Sequence, residues 1–364
     1  MKKVLYIILA VLLIGGATGI GYFQKIYGNI VVNTSSVTLP FINSSTPTPT
    51  PDPLAPYSIL VMGYGGANHD GGYLTDTMIV AHVVPRTEIV HLIPLPRDTW
   101  VDLPVTKQGT EPHKINFAYA VGRDNRKYAQ KPIEFTGSGG GGTMAKYAAG
   151  LITGFPIDYF VAVSFAGFEK SIDVLGGVDV RVPHTFDDPL YPIETEKEND
   201  CGKTPEEIEA LTATLSATLI EKEFPCRYEQ LHFDRGIEHM DGARALKFAR
   251  SRKSETYGGD FNRSVRQEAV LEAVKDKIVS INFIPKAFPF ISSLTSDMQT
   301  DVDASTFTEK LRISPDIATF ELKTVTISND TLLTQSRSDD GQFILIPTVS
   351  WNHLHEYIRS EIEQ

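Results

Sequence analysis

Cysteine is scarce in this sequence: its 364 residues include two, Cys201 and Cys226. No Cys-x-x-Cys motif is present, which excludes the zinc and thiol-redox sites built on that spacing. In an oxidising compartment the two cysteines would most simply pair with each other, and such a link stabilises a domain by roughly 3 kcal/mol. The alternative is a pair of free thiols.

Several catalytic motifs are also missing. The glycine-rich residues 63–72 are not followed by Gly-Lys-Ser/Thr, which excludes a Walker nucleotide site. His353 and His355 lack the His-Glu-x-x-His frame of zinc proteases, and Ser164 lacks the Gly-x-Ser-x-Gly turn of serine hydrolases. A second glycine run, residues 137–142, is expected to form a flexible surface loop.

Positive charge is scarce overall but concentrated in one segment. The chain has 34 Lys plus Arg against 45 Asp plus Glu, a net charge of −11. A local cationic cluster on an acidic chain argues against a nucleic-acid surface. It indicates instead a binding site for a small, highly charged anion, because guanidinium groups donate paired hydrogen bonds to phosphate oxygens. The cluster consists of Arg244, Lys247, Arg250, Arg252, Lys253, Arg263 and Arg266.

Spacing within this cluster predicts geometry. From Gly259 the pattern is helical, with Asp260 as the N-cap or a first-turn residue. Arg263, Arg266 and Gln267 would then share a face in the first two turns, where the helix dipole favours anions. Arg250 and Arg252 would point the same way if their segment is extended. The alternative is a solvated charged face held by ion pairs.

The N-terminal sequence predicts attachment to a membrane. Val4–Phe23 carries no charge and is long enough to span a bilayer, and Lys2 and Lys3 before it favour a cytoplasmic N-terminus. The alternative is a signal peptide cleaved near Ala17–Gly19. Either way, the rest of the chain is exported. Residues 24–56, rich in Ser, Thr and Pro, are expected to form an extended stalk.

From Tyr57 onward, apolar β-branched runs alternate with helical patterns, which predicts an α/β or α+β domain around a central sheet. Predicted strands include Ser58–Met62, Met78–Val84 and Glu88–Pro94, the last two joined by a turn at residues 85–87. The boundaries are residues 1–23 for the cytoplasmic tip and membrane helix, 57–281 for the main domain and 282–364 for a C-terminal extension that packs on or continues that domain. Residues 194–230 are expected to form an acidic insertion tied by the disulfide. Thr204–Phe224 within it has a helical pattern.

Six motifs occur in an order that resembles the LytR-CpsA-Psr family of cell-envelope proteins. The likeness covers about Tyr57–Ile281 and stands behind the predicted anchor and stalk. The segments that carry it are Leu74–Met78, Leu95–Thr99, His113–Tyr119, Phe168–Gly177, His239–Leu246 and the arginines from Arg250 to Arg266 with Gln267.

The resemblance implies a membrane-anchored, extracytoplasmic phosphotransferase. Such a protein transfers a glycopolymer, as its glycosyl phosphate, from a polyprenyl-pyrophosphate carrier to a peptidoglycan hydroxyl with the help of Mg²⁺. It also implies an α/β/α arrangement around a mainly antiparallel mixed sheet, with the catalytic domain at residues 57–281.

By motif match, Asp76 would bind the metal, and Asp98 would orient Arg97 or act as a base. The pyrophosphate would be held by Arg97, Arg250, Arg252, Arg263 and Arg266, with Lys114, Gln267 and Asp260 in supporting positions. The sequence departs from the family pattern at the second metal ligand. Asp70, His69 or water would have to replace it, and Asp70 beside glycine is equally typical of a turn.

Two other functions use the same residues. A polyprenyl-pyrophosphate hydrolase would take water as the acceptor, and a non-catalytic envelope protein would bind or sense the anionic lipid. The intact set of Asp76, Arg97 and the cluster arginines argues against the non-catalytic protein.

Overall fold

The computed structural model describes residues 30–41, 52–66, 71–279, 297–314, 320–327 and 332–363. The predicted membrane helix of residues 4–23, together with His69 and Asp70, lies outside the described residues. So does the side chain of Asp260. No helix within the described ranges has the length and apolar character needed to cross a membrane.

The described chain divides into two compact units. The first contains the residues up to Ser171 and those after Ile281, and the second runs from Ile172 to Ser280. The C-terminal residues 297–363 thus belong to the first unit.

The strands are β1 Tyr57–Tyr64, β2 Thr75–Val84, β3 Ile89–Pro94, β4 Trp100–Thr106, β5 Gly109–Lys114, β6 Tyr159–Ser164, β7 Val178–Val182, β8 Phe186–Pro192, β9 Tyr228–Phe233, β10 Gly236–Met240, β11 Met298–Thr300, β12 Glu321–Thr324, β13 Leu333–Arg337 and β14 Phe343–Pro347. The α-helices span Ala118–Arg123, Gly140–Thr153, Phe165–Leu175, Pro205–Thr214, Ala217–Glu223, Gly242–Arg250, Gly259–Val279, Ala304–Ile313 and Trp351–Ile362.

A six-stranded mixed sheet forms the centre of the first unit, in the order β11-β6-β1-β2-β3-β12. β1 is antiparallel to β2 and parallel to β6, β2 is antiparallel to β3, β11 is antiparallel to β6, and β12 is parallel to β3. The predicted mixed, mainly antiparallel sheet is confirmed, and the α/β/α layering stays a prediction. Alternate residues of β1, such as Leu60 and Met62, are buried, as expected for a strand with one face on the core.

The glycine run at residues 137–142 differs from the prediction of a surface loop. Gly140, Gly141 and Gly142 form the buried first turn of the Gly140–Thr153 helix. A Cβ on Gly142 would lie 2.2 Å from Cε1 of Phe160, and one on Gly140 would lie 2.4 Å from the carbonyl oxygen of Phe135. The glycines are therefore needed for close packing of this helix and not for loop flexibility.

Residues 30–41, part of the predicted stalk, pack on the first unit. Val31 forms a parallel bridge to Thr300, and the Val32 amide donates to the Thr300 carbonyl at 2.8 Å. Val32 belongs to the hydrophobic core, and Thr34 Oγ1 donates to Asp301 Oδ2 at 2.7 Å. This part of the chain is held by the domain.

Two short antiparallel pairs, β7 with β10 and β8 with β9, build the second unit together with its helices. The rings of Phe186, Phe233 and Phe248 pack together in its core, with centroids 5.1 to 6.1 Å apart. The long connection between β8 and β9 is the acidic insertion.

The predicted link between Cys201 and Cys226 is confirmed, with Cα atoms 5.6 Å apart. The predicted single helix over Thr204–Phe224 is wrong in one respect, because Leu215 is extended and splits it into two helices. The first helix starts at a capping box, in which Thr204 and Glu207 each bond the other's backbone amide.

We expect Gly142→Ala to lower the free energy of unfolding by about 1–3 kcal/mol, the usual cost of overpacking a core. Phe160 is fully buried, so its ring has no space into which to retreat from the added methyl group. Urea unfolding measures the change. Gly63→Ala is the control, because a Cβ there would lie 3.4 Å from Thr77 Cβ, an ordinary contact. Equal effects of the two substitutions would contradict this account.

A pH effect on stability is expected at His82. Burial, with a smaller contribution from His91, lowers the His82 pKa from 6.5 to about 4, and its Nδ1 lies 2.9 Å from Ser58 Oγ. The unfolded chain therefore binds this proton more readily, so stability falls as the pH drops from 6.5 towards 4, by at most about 3 kcal/mol.

Thermal unfolding of His82→Gln and the unchanged chain across this pH range measures the contribution. The stability difference between them should change with pH. The difference for Asn352→Gln, a substitution of an exposed residue of the last helix that does not titrate, should not. A His82→Gln difference that is constant from pH 7 to pH 4 would rule out the lowered pKa.

Candidate functional site

Strand register brings Asp76 and Arg97 together in the first unit. β2 and β3 pair antiparallel with Ile79 opposite Pro94, and extending this register by three residues places Asp76 opposite Arg97. The Leu95 amide still donates to the Met78 carbonyl at 2.8 Å beyond the end of β3. Arg97 Nη1 donates to Asp76 Oδ1 at 2.6 Å.

Asp98 connects this ion pair to a second cation. Its Oδ1 accepts from Lys114 Nζ at 2.7 Å, and its Oδ2 lies 3.6 Å from Arg97 Nε. Asp98 is 8% exposed, so its charge is screened mainly by these two cations. The backbone fixes the arrangement, because the Asn116 amide donates to the Arg97 carbonyl at 3.3 Å.

These side chains line a cavity of about 420 Å³. Asp76 and Arg97 are about one-third and one-quarter exposed there, at 32% and 26%. The two carboxylates and two cations sum to zero formal charge, so the cavity presents oriented donors and acceptors with little net field. Its lining includes Asp76, Arg97, Asp98, Lys114, Asn116 and Gln342.

Asn116 and Gln342 are cavity residues to which the sequence assigned no role. Asn116 is 7% exposed, and its carbonyl accepts a hydrogen bond from Thr75 Oγ1 at 3.3 Å. It follows Lys114 by two residues, which is a local signal. Gln342 comes from the turn between β13 and β14, far away in sequence, and no local pattern predicts its position.

In the second unit, several cations of the cluster are bound by protein partners. Arg244 Nε lies 2.7 Å from Glu238 Oε1, and Lys247 Nζ lies 2.7 Å from Glu229 Oε1. Lys253 pairs with Glu221 of the acidic insertion. The alternative of an ion-paired face therefore holds for these three residues.

The remaining arginines have different surroundings. Arg250 ends a helix and donates to the Tyr191 hydroxyl at 3.5 Å. Ser251 after it leaves the helix, with φ −54° and ψ 135°, while Arg250 itself is helical, so the segment from Arg250 to Arg252 is not extended throughout. Arg252 is partly exposed, while Arg263 is 8% exposed.

Arg266 faces the interior of the second unit. It is 2% exposed, its Nη1 donates to the Tyr257 carbonyl at 2.9 Å, and its Nη2 donates to the Ser251 carbonyl. Burial lowers its pKa to about 10, an effect that nearby Asp188 opposes and Arg263 reinforces. Gln267 beside it donates to the Ala249 carbonyl at 3.4 Å.

The predicted site residues thus form two groups. Asp76, Arg97, Asp98 and Lys114 meet in the first unit, and the predicted arginines from Arg250 onward lie with Gln267 in the second. The predicted helix that carries Arg263, Arg266 and Gln267 is confirmed, at Gly259–Val279. Within the described ranges, no group of three or more carboxylate, histidine or cysteine side chains is arranged to hold a metal ion.

Comparison with known proteins gives a consistent match. The model of the LytR_cpsA_psr family matches residues 33–348. Polyisoprenyl-teichoic acid–peptidoglycan teichoic acid transferase TagV of Bacillus subtilis is 28% identical over 250 residues, which are 68% of this chain and 50% of TagV. The corresponding transferase TagU of Enterococcus faecalis is 24% identical over 305 residues, 83% of this chain and 80% of TagU. The aligned residues thus span about half the length of TagV.

The crystal structure of B. subtilis TagV superimposes with a TM-score of 0.53 at 22% identity, covering 85% of this chain and 98% of that one. At this identity the likeness establishes a shared fold.

We expect Arg97→Ala to weaken binding of inorganic pyrophosphate by about 10- to 100-fold, because a charge-assisted hydrogen bond contributes about 1.5–3 kcal/mol. Titration calorimetry on the full chain measures the affinity. Arg86→Ala is the control, since Arg86 pairs with Asp52 at the surface, 2.7 Å away. Unchanged affinity in Arg97→Ala would remove this residue from the anion site.

Proposed function

The chain belongs to the LytR_cpsA_psr family, and we propose that it is a membrane-anchored, exported phosphotransferase that moves a glycopolymer from a polyprenyl-pyrophosphate carrier to peptidoglycan. Its relatives TagV and TagU carry the name of polyisoprenyl-teichoic acid–peptidoglycan teichoic acid transferases. The observation that carries the proposal is the first unit's cavity, in which Arg97 and Lys114 present cationic donors beside two carboxylates.

The proposed reaction is a phosphoryl transfer. A hydroxyl oxygen of peptidoglycan attacks the phosphorus that bears the sugar and forms a new P–O bond. The bond from this phosphorus to the bridging oxygen of the pyrophosphate breaks, polyprenyl phosphate leaves, and the hydroxyl proton is released. Such reactions need alignment and charge stabilisation more than covalent participation by the protein.

Arg97 and Lys114 suit that requirement. Both keep a partly exposed cationic group at the cavity while a carboxylate fixes their position. We infer that Asp98 orients them, since its two oxygens face Lys114 and Arg97. A preorganised cation stabilises developing phosphate charge without reorganising during the reaction.

Magnesium fits this cavity through Asp76, whose partly exposed carboxylate provides a hard oxygen ligand. The four charged side chains sum to zero, so a bound divalent ion would supply the excess positive charge that a pyrophosphate needs. Magnesium uses few protein ligands because it keeps water and phosphate oxygens. Asp70, His69 and water remain the alternatives for the second ligand.

For the second unit by itself, we propose that Arg250, Arg252 and Arg263 bind an anionic phosphate group and that Gln267 supports them. A guanidinium group can donate paired hydrogen bonds to phosphate oxygens, and the three arginines lie within one segment of the unit. Arg244, Lys247 and Lys253 pair with carboxylates of the second unit and have no part in this proposal.

Export and anchoring are part of the same proposal. The disulfide between Cys201 and Cys226 is typical of an oxidising compartment outside the cytoplasm. The uncharged run Val4–Phe23 is the proposed anchor, with the N-terminus in the cytoplasm. The proposed partners are a polyprenyl-pyrophosphate-linked glycan, peptidoglycan and the cytoplasmic membrane.

Turnover tests the function directly. The full chain in detergent is incubated with magnesium and a short polyprenyl-pyrophosphate oligosaccharide, with and without peptidoglycan fragments. We expect acceptor-dependent release of polyprenyl phosphate, lowered by roughly 10²- to 10³-fold in Asp76→Ala, the scale of removing a group that stabilises transition-state charge. Asp102→Ala, which removes an exposed carboxylate of β4, should retain activity.

The outcomes separate the candidate functions. Release that does not depend on the acceptor identifies a hydrolase. Tight binding of the lipid with no release identifies a binding protein. Equal loss in Asp76→Ala and Asp102→Ala excludes a specific role for Asp76.

A further inference from the structure

A buried carboxylate holds the loop that carries Arg252. Asp188 of β8 is 1% exposed, and its Oδ2 accepts from Ser251 Oγ at 2.7 Å, from the Arg252 amide at 2.9 Å and from the Lys253 amide at 3.1 Å. Its Oδ1 accepts from the Leu190 amide at 3.1 Å. Four donors therefore compensate the buried negative charge, three of them from the loop.

Arg266 holds the same loop from its carbonyl side. Its Nη2 donates to the carbonyl of Ser251, the residue whose hydroxyl binds Asp188. Its Nη1 donates to the Tyr257 carbonyl, and its guanidinium lies 4.8 Å from the centre of the Phe186 ring. Both terminal nitrogens of this side chain are thus used on the protein backbone.

The result is a fixed backbone at Arg252. Its amide binds Asp188, and its carbonyl accepts from the Gly259 amide at 2.9 Å. The adjacent Ser251 is fully buried. An arginine with its backbone held in this way loses less conformational entropy when its side chain binds an anion.

We propose that Asp188 and Arg266 form a frame that positions Arg252 for anion binding, and that Arg266 is a positioning residue rather than an anion ligand. The ligand class is a pyrophosphate or another di-anionic phosphate. The inference rests on the proposed function for the biological identity of that anion, while the frame itself rests on the bonds within the second unit.

In Asp188→Asn, the direction of the change in pyrophosphate affinity distinguishes two explanations. Removing a negative charge close to several arginines would, by electrostatics alone, strengthen the binding of an anion. Loss of the frame has the opposite effect, because an asparagine has one acceptor oxygen and its amide group would face the loop donors or Leu190. We expect affinity for inorganic pyrophosphate, measured by calorimetry on the full chain, to fall at least tenfold.

A double-mutant cycle separates positioning from general damage. If Asp188 acts through Arg252, then Asp188→Asn should change pyrophosphate affinity little in an Arg252→Ala background. Glu238→Gln is the matched control, since it removes a carboxylate that binds Arg244 in the same unit without touching the loop. It should leave the affinity unchanged.

Ser251→Ala covers the case in which Asp188→Asn does not fold. It removes one donor to Asp188 and leaves the three backbone donors, so a two- to threefold loss of affinity is expected. Tighter binding in Asp188→Asn, unchanged affinity in Ser251→Ala, or equal losses with and without Arg252 would overturn the frame.

These binding measurements also distinguish failure of the frame from failure of the proposed function. If the unchanged chain binds no pyrophosphate, both inferences fail. If the chain binds pyrophosphate through the frame but does not turn over the lipid-linked substrate, the frame stands and the transferase fails.

Discussion

A cationic side chain that loses its hydration inside a protein must find oxygen acceptors there, and this requirement shapes both units. The Asp98 carboxylate provides the acceptor oxygens for Lys114 and Arg97 in the first unit, and backbone carbonyls accept hydrogen bonds from Arg266 in the second. Lys131 obeys the same rule, since it is 2% exposed and donates to the carbonyls of Val121 and Gly122 at 2.7 and 2.6 Å, at the end of a short helix. All four of these cations are thus held in place by oxygen acceptors of the protein.

Some cations of the cluster maintain the structure of the second unit. In residues 244–267 the carboxylates of Glu238, Glu229 and Glu221 bind three of the cations. Glu221 belongs to the disulfide-linked insertion, so that acidic segment contributes to the loop beside Arg252. Charge density along the sequence therefore does not by itself identify anion ligands, because carboxylates bind these three cations.

Local patterns predicted the central strands. Motif match to the family assigned Asp76 and Arg97 to one site, and the register of the β2–β3 hairpin brings them into contact. Local patterns failed for β4 and β5, whose prolines at 104 and 112 weaken the strand pattern and which bring Lys114 to the cavity. Motif match and helical spacing placed Arg266 at the anion, and that role stays a prediction, while the structure shows that its side chain is 2% exposed. Its spacing to Val270 and Ala273, which are buried, places it on the inner face of the helix. Gln342 depends on tertiary packing that no local pattern encodes.

The pairing of Val31 with Thr300 has a mechanical consequence. Tension in the chain before residue 30 would enter the domain at the edge strand β11 and pass to β6, since the Asp301 carboxylate also binds the Phe160 amide at 2.7 Å. That load reaches the sheet on the opposite side of β1 from β2 and β3, which carry Asp76 and lead to Arg97. A pull on the chain before residue 30 would therefore be resisted by this side of the sheet before it could distort the cavity.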